Sequence, residues 1–404
     1  MKYTLEMLME EVGCIKYHER WMEIFEEAMQ EYDSKGCYLT ETEFYDKLDE
    51  KYGCFEKYGS VYKEAAVQVA SDEALGRFLV LLTTVLRDDE HRKADLANFL
   101  RPDTPNGKVT LGYEMVTGLA LCSQLEKGAD NMRKRNIPKN IICETLKLAV
   151  NGVSSYQRKN NGAMGFDLLS WSQRHIDGVL FQIGRLQIEF MSGFRGKAVV
   201  FQNRDGSVVS LAEDIELHRD GFALGAKHYE DEINKWTPMV EETEYAWKGY
   251  PYKENGFVSS EQIVLNKTEW KRVLCENDPV IRLHIPPTGK MPPYMIDKSI
   301  EDAKKFANTY FYDYKYKAFA CTSWLIDLQL CELLDENSNI VKFTKRFRRL
   351  TRCSSGEGVF GFVFNNPDMN FELQSLPENT SLERALKKHY LNGKAIYEME
   401  GFFL

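Results

Sequence analysis

The chain has 404 residues, 43% of them apolar and 12% aromatic, which is enough for two hydrophobic cores and excludes a wholly disordered chain. Its 52 Lys and Arg against 61 Asp and Glu give a net charge of −9, divided as −7 over residues 1–150 and −2 over residues 151–404. Neither half is basic, which argues against a dedicated nucleic-acid binder, because neutralising phosphates supplies most of that affinity.

No apolar run reaches the roughly 20 residues of a membrane span, and the acidic start MKYTLEMLMEEVG does not read as a secretory signal. Nine cysteines stand at irregular spacing with no CxxC pair and no zinc-like Cys/His grouping. These features predict a cytoplasmic protein with reduced, mostly buried thiols, no membrane association and no metal.

The first 150 residues read as helix. Between His18 and Asp33, Trp21, Met22, Ile24, Phe25, Ala28, Met29 and Tyr32 recur at three- and four-residue steps. Thr42 and Glu43 open a second stretch, which Gly53 stops. Ser60–Arg87 reads as one long helix whose GRFLVLLTTVL segment, apolar nearly all round, belongs at the centre of a core. Pro102 and Pro105 break the pattern. Helix resumes over about 110–128, and Pro138 opens another to about Val150. The polar stretch Ser154–Gly165 is a hinge or loop, so the expected domains are 1–160, helical, and 161–404, mixed.

The second half begins with strict alternation. Over Gly184–Phe190, Leu186, Ile188 and Phe190 point one way, and Arg185, Gln187 and Glu189 the other. KAVVFQ and SVVSL flank a turn at Asn203–Gly206, a hairpin pattern. Residues 212–262 show little periodicity and read as irregular. Then come a strand at Ile281–Ile285, the loop PPTGKMPP, a helix at Asp297–Tyr310, a strand at Lys317–Ile326 and a helix from Leu328 to Leu334. Parallel strands joined by a crossover helix are the economical interpretation. GVFGFVF at 358–364 reads as a last strand. Helices first and a mixed sheet second make an α+β protein of two domains.

Four constellations could carry chemistry. In the loop Pro286–Pro293, Gly289 lets backbone approach a ligand, Thr288 and Lys290 can bond an anion, and a helix N-terminus follows. A rigid strand-to-helix connection explains the same prolines. Arg282 and His284 form a polar row on one strand, and Arg185, Gln187 and Glu189 form another. Such rows are ordinarily solvated faces, but helices flanking this sheet leave less of it open to water. His284 is then the best titratable candidate and Glu189 a second base. On the strand KAFACTSWLID, Cys321 reads as a buried thiol, and Ser323 can donate a proton to a leaving group. The run KFTKRFRRLTR at 342–352 is a basic patch, either a solvated face or a dock for a phosphate-bearing ligand.

Several of these segments together resemble bacterial acyltransferase-domain proteins, in which a helical N-terminal domain precedes a domain similar to GNAT-type N-acyltransferases. The resemblance is carried by GRLQIEF at 184–190, LHIPPTGKM at 283–291 with DKSIEDAKKFANTYF after it, AFACTSWLID at 318–327 and DENSNIVKFTKRF at 335–347. It spans roughly residues 170–350. It implies a GNAT-like core in which acyl-CoA or acetyl-CoA, the co-substrate, lies in the splay between the two crossover strands. The pyrophosphate would sit on the loop around Thr288–Lys290, and a backbone N–H near His284–Ile285 would polarise the thioester carbonyl. The usual Q/R-x-x-G-x-G/A pyrophosphate signature is absent, and a proline-rich loop stands in its place.

The expected function is transfer of an acyl group from acyl-CoA to an amine of a small molecule by direct attack. His284 or Glu189 would be the base, and Ser323, Tyr310 or Tyr312 the acid. Ile285, Thr288, Gly289, Lys290 and Arg346 would hold the cofactor, and Arg185, Gln187 and Arg282 the substrate. The acidic first half would help receive a cationic acceptor. Two other readings stand beside it. One is an inactive GNAT-like module that senses a metabolite through the same polar cavity; the other is an interaction protein that docks a partner on its acidic helices.

Overall fold

The computed structural model describes residues 3–14, 19–88, 110–230, 234–287, 289–366 and 371–404. His18, Pro102, Pro105 and Thr288 lie outside the described residues. The chain forms two compact units, Met1–Phe181 and Gln182–Leu404.

The first unit is helical. The single helix expected over Ser60–Arg87 is two, Gly59–Ala70 and Glu73–Arg87, because Asp72 takes an extended conformation and its carboxylate accepts the Leu75 N–H at 3.0 Å. Every residue from Ala74 to Leu86 is buried, as an all-round apolar helix requires. Arg77, the charge inside that run, reaches Asp33 at 2.6 Å and Glu73 at 3.0 Å. Gly53 ends the helix Thr42–Tyr52 at φ +60°, a left-handed cap. The helical unit runs past the boundary expected at residue 160. The polar stretch is helical through Lys159, and the helix Leu169–Ile176 packs against Lys139–Val150.

The second unit holds most of the sheet structure. The strands in chain order are β1 (Leu180–Ile183), β2 (Leu186–Gly193), β3 (Ala198–Asn203), β4 (Val208–Ala212), β5 (Glu241–Glu242) and β6 (Ala246–Gly249). There follow β7 (Ile263–Asn266), β8 (Trp270–Leu274), β9 (Pro279–His284), β10 (Ala318–Ser323), β11 (Arg348–Leu350) and β12 (Met399–Phe403). A six-stranded sheet has the order β1-β2-β9-β10-β12-β11, and two three-stranded sheets have the orders β4-β3-β8 and β5-β6-β7. The hairpin at 198–212 forms as its alternation predicts. The stretch 212–262, expected to be irregular, contains β5 and β6, strands too short to show a period.

β9 and β10 are parallel and joined by the helix Pro293–Tyr310, which starts one turn earlier than expected because Pro293 occupies its first turn. One face of the large sheet meets the β3–β8 sheet across Phe194, Val200, Leu274, Val280, Ala320 and Phe402. On the other face Phe190 stacks on Phe306 and Phe311, with centroids 5.5 and 4.4 Å apart.

GVFGFVF is not a strand. Residues Gly358–Val363 are helical, with the Phe360 ring 5.9 Å from Phe364 one turn on and 4.5 Å from Tyr390. A short apolar run has no period that separates helix from strand, and these ring contacts decide it. The last strand of the sheet is β12, inserted between β10 and β11.

Candidate functional site

The site grows from the register of three adjacent strands. β2 runs antiparallel to β9, with Gln187 opposite His284 and Glu189 opposite Arg282, so the two polar rows fall on one face. The diagonal pair closes. His284 Nε2 lies 2.7 Å from Glu189 Oε2, and the two side chains are 19% and 10% exposed. With Nε2–H donating to the carboxylate, the imidazole lone pair resides on Nδ1. Gln187 is buried beside them.

β9 and β10 pair only through Val280–Ala318, Ile281–Phe319 and Arg282–Ala320. Beyond that point Leu283 and His284 on one strand and Cys321 to Ser323 on the other continue without ladder partners in each other. The parallel strands therefore part at their C-terminal ends, where a ligand binds in an open α/β arrangement.

Arg282 does not serve as a substrate contact. It is 1% exposed and grips Glu400 of β12 with two N–H···O bonds of 3.0 Å, while Thr322 hydrogen-bonds both Arg282 and Glu400. The pair ties β9 to β12 across β10 at the place where the ladder ends. The facing Glu400 and Glu189 carboxylates hold the Arg282 guanidinium pKa above its ordinary value against the opposing effect of burial.

Arg185 likewise faces inward. It is buried, and its guanidinium donates to the Lys290, Pro286 and Gly289 carbonyls at 3.0, 3.0 and 3.1 Å. Gly184 precedes it at φ +59°, so close to Ser299 that a Cβ there would lie 2.6 Å from Ser299 Oγ. That hydroxyl accepts the Arg185 N–H at 2.8 Å. Arg185 thus braces the loop expected to hold phosphate. Gly289, at φ +71°, and Lys290 are exposed on that loop, and Ile285 is half-buried at its start.

Arg346 comes to the first turn of the helix after the loop, where it pairs with Asp297. The rest of the basic run divides. Arg349 is 5% exposed and donates to the Ile326, Glu254 and Thr344 carbonyls, while Phe343, Phe347 and Leu350 are core.

Ser323 is not brought to the dyad. It lies at the same end of the sheet, but register puts it in phase with Leu283 and Ile285, on the face opposite His284. Its Oγ accepts the Leu325 N–H at 3.1 Å and so caps the turn Trp324–Ile326. Tyr310 ends the helix that runs back along the sheet, about 27 Å long for 18 residues, and Tyr312 follows it, so both lie at the far end from His284. Burial pushes the Cys321 thiol far up, which leaves it no nucleophile.

Sequence reasoning missed Glu400 and Asp327. Glu400 lies with Glu398 in a terminal segment that is otherwise mostly apolar, and nothing in its spacing links it to Arg282. Asp327 lines a cavity of about 400 Å³ with Phe222, Tyr229, Glu332 and Tyr397, where burial raises its pKa. It accepts the Tyr397 N–H at 2.8 Å and bonds from both the backbone and side-chain nitrogens of Gln329 at 3.0 Å. Among the described residues no cluster of three or more His, Cys, Asp or Glu is placed to hold a metal ion, and no helix is long and apolar enough to cross a membrane.

Residues 180–403 match the family model described as the GNAT-like C-terminal domain. No curated protein sequence matches the chain. Among solved structures, a mutant acyltransferase in complex with octanoyl-CoA is similar at a TM-score of 0.63 and 19% identity, with 98% of each chain covered. An acyltransferase with CoA and 10C-teicoplanin gives 0.62 at 18%, and one with decanoyl-CoA and teicoplanin gives 0.60 at 18%, with the same coverage. At this identity the likeness is one of fold, and it extends over nearly the whole chain.

Proposed function

The chain belongs to the GNAT-like C-terminal domain family, and from that premise we propose that it is an acyl-CoA-dependent N-acyltransferase acting on an amine of a small molecule. The observation that carries this reading is the His284–Glu189 pair at the mouth of the gap where β9 and β10 part. Of the acyltransferase structures of the same fold, one holds octanoyl-CoA, one decanoyl-CoA with teicoplanin and one CoA with 10C-teicoplanin.

In the proposed reaction the acceptor nitrogen attacks the thioester carbonyl carbon. A C–N bond forms, the C–S bond breaks and CoA leaves as the thiolate. His284 Nδ1 takes the ammonium proton while Glu189 holds the Nε2–H and stabilises the imidazolium. The imidazolium then returns that proton to the departing thiolate sulfur, so CoA is released as the neutral thiol and the imidazole is regenerated. Ser323 is not needed as the acid in this scheme. A backbone N–H near Ile285 faces the developing oxyanion. The loop Gly289–Lys290 and the helix after it receive the pyrophosphate, with Arg346 at the first turn.

Two measurements test this. Calorimetric titration with acetyl-CoA and decanoyl-CoA is expected to give heat of binding, and no heat at millimolar ligand sinks the proposal. Thiol release in the presence of amine acceptors is expected to fall about 10²–10⁴-fold in kcat for His284→Gln with KM for acyl-CoA little changed. Turnover undiminished in that variant removes His284 as the base. Binding without turnover under any acceptor amine returns the molecule to a metabolite sensor.

A further inference from the structure

Arg185 holds a buried positive charge with no acidic partner among the described residues. Its partners are three carbonyls, Nη1 is buried without a hydrogen bond, and among the described residues no carboxylate lies within 4 Å of it. Burial alone moves its pKa, downward. A guanidinium in that setting is costly unless dipoles and a nearby anion compensate it. The carbonyl dipoles are present, and the loop they belong to is exposed on its other side.

The geometry of the trans peptide extends this. No peptide bond among the described residues is cis, so each C=O and the N–H of the next residue point in opposite directions. The Gly289 and Lys290 carbonyls point at Arg185, and the amides of Lys290 and Met291 therefore point away from it. Neither amide donates to an acceptor among the described residues. Pro286, Pro287, Pro292 and Pro293 contribute no donors, so the N–H groups of this loop are concentrated at its middle. Adjacent outward amides form a concave anion receptor without a glycine-rich signature.

We propose that Arg185 is the positioning residue for diphosphate recognition: it holds three loop carbonyls beneath the loop, keeps the Lys290 and Met291 amides turned outward as donors to phosphate oxygens, and lends them a positive field. This rests on the acyl-CoA reading above. It assigns to Arg185 a role that never touches the reacting atoms, and it explains how a proline-rich loop replaces the usual signature.

The test compares acetyl-dephospho-CoA, which keeps the diphosphate and adenosine, with acetyl-pantetheine, which has neither, by calorimetric Kd on the full chain, and reads the diphosphate contribution from the change that Arg185→Lys makes in the preference. The wild-type protein is expected to prefer the first by at least about tenfold. Arg185→Lys is expected to lose about tenfold in affinity for acetyl-dephospho-CoA while acetyl-pantetheine binding stays unchanged. A wild-type protein that binds neither ligand overturns the acyl-CoA reading itself. A wild-type preference that Arg185→Lys retains overturns the role of Arg185 alone. If Arg185→Lys does not fold, Gly289→Ala decides. With φ +71° and open space around it, that change strains only the loop backbone. It is expected to cost the same selective preference, and full retention refutes the inference.

Discussion

Glu400→Gln is the sharpest perturbation of the C-terminal unit. The Arg282 and Glu400 side chains are 1% and 3% exposed, and the pair is closed by two bonds of 3.0 Å with Thr322 bridging. Replacing the carboxylate by an amide of the same shape leaves a guanidinium in the core with no counter-charge on β12. Breaking such a pair from one side costs about 3–5 kcal/mol. Arg282→Met should cost less, because a stranded Glu400 can take up a proton, whereas arginine cannot lose one. Removing both charges with Arg282→Met and Glu400→Leu should bring the protein back to within about 2 kcal/mol of wild type, since a well-packed apolar replacement of a buried pair is often close to neutral. Amide hydrogen exchange in β10 and β12 reads the local opening free energy of the strands the pair ties together. With Glu400→Leu as the matching single variant, the expected result is a coupling of about 3 kcal/mol or more between the two sites. Single variants within about 1 kcal/mol of wild type, or costs that simply add, would refute the claim that this pair holds the sheet where β9 and β10 part.

Burial lowers the pKa of His389 below its usual 6.5 in the folded state. The unfolded chain therefore binds the proton more readily, and stability falls as pH drops through about 6.5 toward the folded value. His389→Gln should flatten that part of a Tm–pH curve, and an unchanged slope counts against it. Cys353 is exposed while Cys321 is fully buried with its thiol pushed up, so native alkylation should label Cys353 and reach Cys321 only on unfolding, as mass mapping would show.

The strand–loop–helix–strand unit was legible because each element carries its own period. Leu186, Ile188 and Phe190 alternate, and Ile300, Ala303, Phe306 and Ala307 recur at helical steps. Alternation also placed His284, Gln187 and Glu189 on one face, though only the register, a long-range property, makes them meet. The same alternation grouped Arg282 and Arg185 with the site, yet both turn inward. What distinguishes them is a partner far away in the chain, Glu400 for one and the loop carbonyls for the other. Local pattern carries no information about such partners. The short apolar run at 358–364 failed for a related reason: Phe360 is helical through contacts with Phe364 and Tyr390 rather than through any period of its own.

Charge illustrates the point in a form that bears on ligand binding. The run 342–352 is the densest basic segment of the chain, and an anionic ligand would be expected to seek it. Much of that charge is already committed. Arg349 is buried on three carbonyls, and Arg346 is paired with Asp297. On the reading proposed above, Arg185 adds to the pull on a diphosphate. Like Arg349 it is buried on carbonyls with no carboxylate within 4 Å among the described residues, but its carbonyls belong to the loop before the helix Pro293–Tyr310, and it lies in no basic cluster in the sequence. Its influence passes through the peptide groups of the loop above it. On that proposal a buried cation that orders a few backbone dipoles acts at contact distance, whereas the field of solvated side chains is screened within about 10 Å at ordinary ionic strength.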